Sequence, residues 1–356
     1  MGLADRFTSM WKGRGMIAQS RNHKWLQQHD EAILEPELPI IDPHHHLWDK
    51  NSNHLVQPRY LLDEILEDIN CGHNIVATVF IECGAMFKVG GDEHLRAVGE
   101  TEFVNGIAAM CESGLYGATK VAAAIIGTVD LRIGALAGEV LDMHLAAGCG
   151  RFRGIRRAVA WDSSNEIRNH RTNPPPNLLL QDDFRRGFGE LSRRGLTFEA
   201  WCYHTQIAEV TDLARAFPDT TIILDHFGGP LGIGPYKGKQ NEIFQKWNKD
   251  IVELAKCENV YAKLGGVNMD VNGFAWHERK MPPSSQELAD ATEHFYHSTI
   301  DAFGSNRCMF ESNFPVDKLS CSYKILWNMF KLITKNASKE EKAALFHDTA
   351  AEVYSI

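Results

Sequence analysis

Eight apolar runs of strand length recur along the 356-residue chain, and they restrict its fold more than any other feature. Most of them are nearly continuous in Val, Ile, Phe or Thr and do not alternate with polar residues. Continuous runs are typical of strands that are buried on both faces, as in a parallel sheet. The runs are residues 37–42, 74–83, 121–130, 152–161, 196–203, 220–227, 259–266 and 306–314.

Segments with helical patterns lie between several of these runs. They cover residues 92–114, 183–195, 204–218, 241–257 and 284–304. Strands that alternate with helices predict an α/β fold, here a (β/α)8 TIM barrel rather than an open sheet. We place the barrel at residues 37–356 and treat the polar residues 1–36 as an N-terminal extension. Residues 267–285 form a long loop after strand seven, either an ordered lid or an exposed insertion.

The charge balance restricts the partners of the chain. Asp and Glu number 46 against 37 Lys and Arg, which gives a formal net charge of −9. Nucleic-acid binding needs clustered excess Lys and Arg, so a small-molecule substrate is expected instead. The sequence shows neither a secretory signal nor an apolar run long enough to cross a membrane. None of the eight cysteines forms a C-x-x-C pair, which favours reduced thiols in a cytoplasmic enzyme. Whether the chain forms a homo-oligomer stays open.

In a TIM barrel the chemistry lies where strands end and the following loops begin. The first run ends in IIDPHHH, residues 40–46. Alternation along a strand puts His44 and His46 on one face and His45 on the other. Two imidazoles at this spacing can reach one metal ion, and imidazole nitrogen suits zinc. Asp42 shares their parity and would orient a ligand or bond locally. The alternative for the His-x-His pair is a surface cluster.

Strands five and six also end in histidines, His204 and His226. A lone histidine is usually a structural residue with satisfied hydrogen bonds. Two more at successive strand ends, together with the His-x-His pair, favour a shared site.

Charged side chains end three further strands: Glu82, Arg156 and Lys263. We expect Arg156 and Lys263 to hold an anionic substrate, because a guanidinium fork matches a carboxylate. Glu82, and Trp276 in the long loop, complete the predicted substrate-binding set. The alternative is that the charged residues form structural ion pairs between strands.

Strand eight ends in MFESNFPVD, residues 309–317, where Glu311 and Asn313 share one parity and Asp317 follows in the loop. Together with IDPHHHLWD and ILDHFGGP, the SNFPVDK stretch resembles the amidohydrolase-2 branch of the amidohydrolase superfamily of metal-dependent TIM-barrel hydrolases. The resemblance is to the subgroup with sugar-lactone and 2-pyrone-4,6-dicarboxylate lactonases. It spans roughly residues 38 to 350.

The resemblance implies roles for individual residues. It implies that His44, His46 and His204 bind a divalent metal, usually one Zn²⁺, and that His226 polarises the substrate carbonyl or moves a proton. The family's strand-eight aspartate is replaced here by Asn313, whose neutral amide cannot act as a general base. Asn313 stays a catalytic candidate because its amide can form hydrogen bonds or ligate through oxygen. We expect Glu311 to supply the missing carboxylate, the alternative being that it pairs with an arginine or lysine. Because some lactonases of this subgroup work without metal, a metal-free site stays open.

The function expected from these residues is hydrolysis by metal-activated water. The substrate would be a lactone or related ester of a small anionic or polyhydroxylated molecule. One alternative is a non-oxidative decarboxylase or hydratase of a small aromatic or dicarboxylic acid. The other is a barrel that binds a ligand without catalysis.

Overall fold

Eight parallel strands in chain order form the centre of the protein, which is described by a computed structural model over residues 22–50 and 57–356. All seven neighbouring pairs are parallel, so the predicted (β/α)8 barrel is confirmed. The strands are β1 Pro39–His45, β2 Asn74–Ile81, β3 Lys120–Gly127, β4 Phe152–Ala158, β5 Thr197–Trp201, β6 Ile222–Leu224, β7 Val260–Leu264 and β8 Cys308–Phe310.

The barrel closes where the end of β1 meets the chain just beyond β8. Asn313 donates its backbone N–H to the carbonyl of His44 at 2.9 Å, and His46 donates to the carbonyl of Phe314 at 2.8 Å. This closure places the histidines of β1 directly beside the segment that follows β8.

Ten α-helices alternate with or follow the strands in the described residues beyond 57. They are α1 Leu62–Ile69, α2 Val98–Glu112, α3 Ala137–Ala147, α4 Asp182–Ser192, α5 Ile207–Ala216, α6 Gln240–Leu254, α7 Ser285–Phe303, α8 Tyr323–Ile333, α9 Lys339–Ala343 and α10 Thr349–Tyr354. A π-helical turn, Ala344–Asp348, joins the last two. The start of α7 shows why the sequence folds this way: Ser284 accepts from the Glu287 backbone N–H, and Glu287 accepts from that of Ser284.

The barrel interior is apolar at one end. Side chains of β1, β2, β3 and β8 that face away from the helices pack together with Ala350 and Tyr354 of α10. Because the active-site end of a TIM barrel lies at the carboxyl ends of its strands, this cluster seals the opposite end. Polar side chains occupy the interior between the seal and the strand ends.

The described part of the predicted extension is fastened to the barrel. Glu31 accepts from the backbone N–H of Ser285 at 2.8 Å, and Leu34 donates to the side chain of Asn328 at 3.0 Å. Trp25 donates to the carbonyl of Arg279 at 3.0 Å. The boundary between extension and domain stays a prediction. Among the described residues, none of the helices combines the length and hydropathy needed to cross a membrane.

The long loop after β7 is ordered by its own apolar residues. It contains two 3-10 turns, Asp270–Asn272 and Trp276–Glu278, with Val271 and Trp276 buried. Residues 269–271 line the cavity described below, so part of the loop covers the strand ends.

Candidate active site

A cavity of about 640 Å³ opens at the carboxyl ends of the strands. Residues at or just beyond the ends of six strands contribute to its wall. They are His46, Cys83, Arg156, Trp201, His226 and Asn313. The polar strand ends recognised in the sequence therefore meet at one place.

His226 stands at this cavity on a turn that directly follows β6. His226 and Phe227 both have left-handed backbone angles, with φ of 53° and 57°, a conformation that side chains with a Cβ rarely adopt. The ring lies against the backbone of Gly266, where a Cβ would overlap it. A glycine at position 266 is thus required for the observed position of the imidazole.

Glu311 bridges two imidazoles beneath the cavity. Its Oε1 accepts from Nδ1 of His226 at 2.6 Å, and its Oε2 lies 2.7 Å from Nδ1 of His44. The two ring centroids are 4.5 Å apart. Burial raises the pKa of Glu311 to about 8, against the opposing effect of the Lys263 ammonium. Burial also holds the pKa of His44 and of His226 well below the usual value. Glu311 is therefore the one of the three groups whose pKa lies near neutral, and burial favours the uncharged form of both imidazoles.

Asp225 is a fully buried carboxylate next to these imidazoles. Neither of its oxygens has a hydrogen-bond partner among the described residues. Its nearest charged neighbours are Nζ of Lys263 at 3.8 Å and a guanidinium nitrogen of Arg156 at 3.9 Å. Burial and the negative charge of Glu199 raise the pKa of Asp225 well above its usual value.

The residues around Asp225 fit a divalent metal ion. Donor atoms of His44, Asp225 and His226 lie within 4.8 Å of one another. A buried carboxylate with two unpartnered oxygens beside two imidazoles is a donor set that zinc and related ions accept. The structure thus groups His44 with Asp225 and His226, a set that differs from the predicted one.

Of the other two predicted ligands, His46 lies beside His44, with 5.0 Å between the ring centroids, and His204 lies elsewhere. His46 lines the cavity, with its Nδ1 2.8 Å from the carbonyl oxygen of Ile81. His204 accepts from the backbone N–H of Leu231 at 3.3 Å and packs edge-on against Tyr236, and it does not line the cavity. The structure does not bring His204 to His44, and its predicted role as a ligand has no geometric support.

Glu82 connects two arginines at the cavity wall. Its Oε1 accepts from Nε of Arg156 at 3.0 Å, and its Oε2 accepts from Arg171. Burial alone would raise the pKa of Glu82, but Arg171 and Arg156 hold it at about 2. Glu82 itself does not line the cavity, whereas both arginines do. It therefore orients two arginines that line the cavity and does not itself reach the cavity, as direct contact with a substrate would require.

Arg171 lies against a glycine that makes room for it. A Cβ at Gly84 would lie 2.6 Å from a guanidinium nitrogen of Arg171, and Gly84 has a φ of +76°. The missing side chain at Gly84, just beyond the end of β2, thus leaves the space that the Arg171 guanidinium occupies at the cavity wall.

Lys263 and Trp276, both predicted to bind substrate, are outside the cavity wall. Lys263 is fully buried, with Nζ 2.6 Å from Oε2 of Glu199. Trp276 donates to the side chain of Asn268 at 3.2 Å and stacks on Phe274. These positions give their predicted binding role no support: β7 directs Lys263 into the barrel interior, and the loop turns Trp276 into its own core.

Asn313 lines the cavity, and its side chain is bonded to the side chain of Asp317. Its Nδ2 donates to Oδ1 of Asp317 at 2.9 Å. Burial raises the pKa of Asp317 well above its usual value.

Asp42 bonds locally, which is one of its two expected roles. It accepts hydrogen bonds from the Ser312 hydroxyl at 2.6 Å and from the Tyr323 hydroxyl at 3.0 Å. The carboxyl group closest to both imidazoles is therefore Glu311.

Sequence reasoning missed several residues at the site. Asp225 precedes His226 and shares the parity of Ile223 on β6. Strand alternation therefore puts both side chains on the same face, and this pattern in the sequence could have identified Asp225. Arg168 and Arg171 lie in the segment between β4 and α4, which returns over the cavity. Nothing in the pattern of that segment shows where it folds.

Comparisons with known proteins agree with the architecture. The model of the amidohydrolase family matches residues 41–356. An uncharacterised protein, y4mH, of Sinorhizobium fredii is 33% identical over 339 residues, which are 90% of this chain and 99% of the relative. An L-fucono-1,5-lactonase of Burkholderia multivorans is 24% identical over 236 residues, 66% of this chain and 72% of the relative.

Among solved structures, an amidohydrolase from Burkholderia multivorans with bound HEPES has a TM-score of 0.68 at 22% identity, covering 89% of this chain and 99% of its own. The structure of the amidohydrolase with bound zinc has a TM-score of 0.66, at the same identity and coverage. Both likenesses concern the fold.

Proposed function

The chain belongs to the amidohydrolase family, and from that premise we propose that it is a hydrolase that opens a lactone or related cyclic ester of a small anionic molecule. The family and its lactonase relatives support an enzyme of the hydrolase class. The observation that carries the proposal is the carboxylate of Glu311 between the imidazoles of His44 and His226, directly beneath the point where His226 lines the cavity. These three residues are called the floor below.

The charge of the cavity wall supports an anionic substrate. Four cationic and two acidic side chains line it, which are Lys50, Arg156, Arg168, Arg171, Asp49 and Asp270. A concave surface with excess positive charge attracts anions, and guanidinium groups bind carboxylates with two parallel hydrogen bonds. The guanidinium of Arg168 forms neither a hydrogen bond nor an ion pair with any described residue, so its donors are free for a ligand.

Opening of a lactone needs a proton to be taken from water and one to be returned to the ring oxygen. Water oxygen bonds to the carbonyl carbon, the bond from that carbon to the ring oxygen breaks, and the ring oxygen gains the proton that water loses. Glu311 and the two imidazoles are groups that can carry this proton after water has lost it and before the ring oxygen gains it. Since Nδ1 of His226 is held by Glu311, its Nε2 is the ring nitrogen left to face a substrate oxygen.

The negative charge that develops on the carbonyl oxygen needs a fixed positive partner. Arg156 lines the cavity, and one guanidinium nitrogen lies 3.2 Å from Nε2 of His44. Glu82 fixes its orientation through Nε. A preoriented donor of this kind stabilises an oxyanion without reorganisation during the reaction.

A divalent ion held by His44, Asp225 and His226 would supply a Lewis acid for the carbonyl oxygen and lower the pKa of a bound water. The zinc bound to the structurally similar amidohydrolase supports this cofactor. The roles of His226 as a ligand and as a proton donor exclude each other. The metal requirement therefore decides which of the two His226 performs.

The test is a substrate panel assayed by proton release on tag-free protein, both zinc-loaded and chelator-treated. It contains sugar lactones, carboxylated lactones, simple esters and hydroxybenzoates, the last also followed by CO₂ release. Turnover of carboxylated lactones that is lost in Glu311→Gln supports the proposal. CO₂ release without lactone turnover would select the decarboxylase alternative. Binding of panel members with no turnover would select the ligand-binding barrel.

A further inference from the structure

Below the cavity floor the barrel interior holds an ammonium group that the proposed reaction does not use. The side chain of Lys263 is fully buried. Its Nζ lies 3.4 Å from Nδ1 of His44 and 3.8 Å from Oδ1 of Asp225. A positive charge belonging to the chain is thus adjacent to two of the three groups that fit a metal ion.

The ammonium of Lys263 is fixed from below. Its Nζ donates to Oε2 of Glu199 at 2.6 Å, and the other oxygen of Glu199 accepts from the hydroxyl of Tyr354 at 2.6 Å. The ring of Tyr354 lies under the ammonium, with 5.4 Å between Nζ and its centroid. Glu199 and Tyr354 are both fully buried. The position of the charge is therefore built by three elements and does not depend on solvent.

The surrounding charges show what this ammonium does. Two cations of the chain lie within 4 Å of Asp225, Nζ of Lys263 at 3.8 Å and a guanidinium nitrogen of Arg156 at 3.9 Å. Both also face His44, Lys263 at Nδ1 and Arg156 at Nε2. Asp225 thus has positive charge beside it without a metal ion, and Lys263 is the one of the two cations that does not line the cavity. A divalent ion on His44 and Asp225 would lie close to the ammonium and be repelled by it.

We propose that Lys263 is a resident cation that competes with a divalent metal ion for the His44–Asp225–His226 group. The group then has two states: one balanced by the ammonium of the chain, the other by a metal ion that binds against its repulsion. The affinity of the site for metal is set low by a residue that is not itself a ligand. This inference concerns the metal equilibrium and does not depend on which ester the protein hydrolyses.

The test measures Zn²⁺ affinity of the full, tag-free chain by competition with a chromophoric chelator. In Lys263→Met/Glu199→Gln the ammonium is removed together with its partner, so that no unpaired carboxylate is left buried. We expect this variant to bind Zn²⁺ at least about tenfold more tightly than the unmodified chain. Glu199→Gln alone keeps the ammonium and removes its counter-charge, so it is expected to bind more weakly. Lys263→Gln, which can still donate to Glu199, serves if the double variant does not fold, and it too should bind more tightly.

Lys331→Met is the matched control. It removes another buried ammonium, one that donates to the carbonyls of Leu34 and Glu35 instead of facing His44. Its Zn²⁺ affinity should equal that of the unmodified chain. Adding His44→Ala to the double variant should abolish the gain.

Three outcomes would overturn the proposal. The first is an affinity in the Lys263 variants that is equal to or weaker than that of the unmodified chain. The second is a gain that survives His44→Ala, which would place the metal elsewhere. The third is no Zn²⁺ binding by any of these proteins, because there would then be no equilibrium for Lys263 to influence.

Discussion

The floor and the rim of the cavity hold their charges in different ways. At the floor, His44, His226 and Glu311 are buried and bound to one another at 2.6–2.7 Å. At the rim, Arg168 is exposed and forms no ion pair with any described residue, whereas Arg171 is paired with Glu82 and leaves 31% of its side chain exposed. Buried, fixed groups suit bond breaking, which needs preset geometry, and exposed guanidinium groups suit recognition of a ligand that adds hydrogen bonds to them. The comparison predicts separate effects on kcat and on KM.

The largest effect is expected at the floor. Glu311→Gln keeps the shape of the side chain but removes the carboxylate that bonds to His226 and lies 2.7 Å from Nδ1 of His44. We expect kcat on a lactone substrate to fall by about 10³-fold, with KM within a few-fold of the unmodified value. Steady-state kinetics measure this, and Glu352→Gln on an exposed part of α10 is the control. A normal kcat in Glu311→Gln would contradict the assignment of the floor as the reaction centre.

A smaller effect is expected from a substitution that displaces the His226 ring and leaves the floor residues themselves unchanged. Gly266→Ala adds a methyl group that overlaps the His226 ring, at a position with a φ of +66°. We expect kcat to fall by about a hundredfold, because displacements near 1 Å in a reacting group cost that much. Gly106→Ala in α2, where a Cβ meets nothing within 4 Å, should leave kcat unchanged. Equal kinetics in both variants would show that the position of His226 is not critical.

At the rim the effect should appear in KM. Arg171→Met removes a charge-assisted donor, so KM for a carboxylated lactone should rise about 10- to 100-fold while KM for a neutral lactone stays the same. Arg168→Ala should show the same pattern with a smaller rise, and Arg186→Ala on the surface serves as the control. A matching loss on the neutral lactone would mean that Arg171 supports the floor through Glu82 and does not recognise the carboxylate.

A buried histidine away from both regions provides an effect of a different kind, a loss of stability in acid. His144 is fully buried between α2 and β4, and burial lowers its pKa from the usual 6.5 to about 4. The unfolded chain binds this proton more tightly, so stability is complete above pH 6.5 and decreases as the pH falls toward 4. The difference amounts to about 3 kcal/mol.

Denaturant unfolding at several pH values measures this effect. His144→Gln should flatten the decrease between pH 6.5 and 4 relative to the unmodified chain, whereas His297→Gln on the exposed face of α7 should not. An unchanged slope in His144→Gln would assign the acid sensitivity to other buried histidines whose pKa is lowered, such as His73 and His204.

The residues of the floor could be found from the sequence because they stand at or next to the ends of recognisable apolar runs. His44 lies on β1, Glu311 directly follows β8, and His226 begins a 3-10 turn just beyond β6. The same reasoning did not locate His204, since β5 ends at Trp201 and His204 begins a 3-10 turn that does not reach the cavity. A turn of this kind has no two-residue repeat, and it points the ring toward Tyr236.

The rim could not be predicted, since it is built from loops. Arg171 reaches the cavity through a segment that has no periodic pattern, and Gly84 became significant only when the guanidinium was seen against it. Lys263 was recognised as a charged strand end, but its depth in the barrel depends on Glu199 and Tyr354, which the strand pattern does not connect.

The seal at the far end of the barrel also fixes when the site can form during folding. Tyr354 and its partner Glu199 are separated by 155 positions. Contacts across such separations carry a large entropic cost of closure and tend to form late. Because α10 follows all eight strands in the chain, the Glu199–Lys263 pair is immobilised only when this last helix docks. The electrostatic state of the floor is then acquired with the docking of α10, so slow docking would appear as a lag before activity.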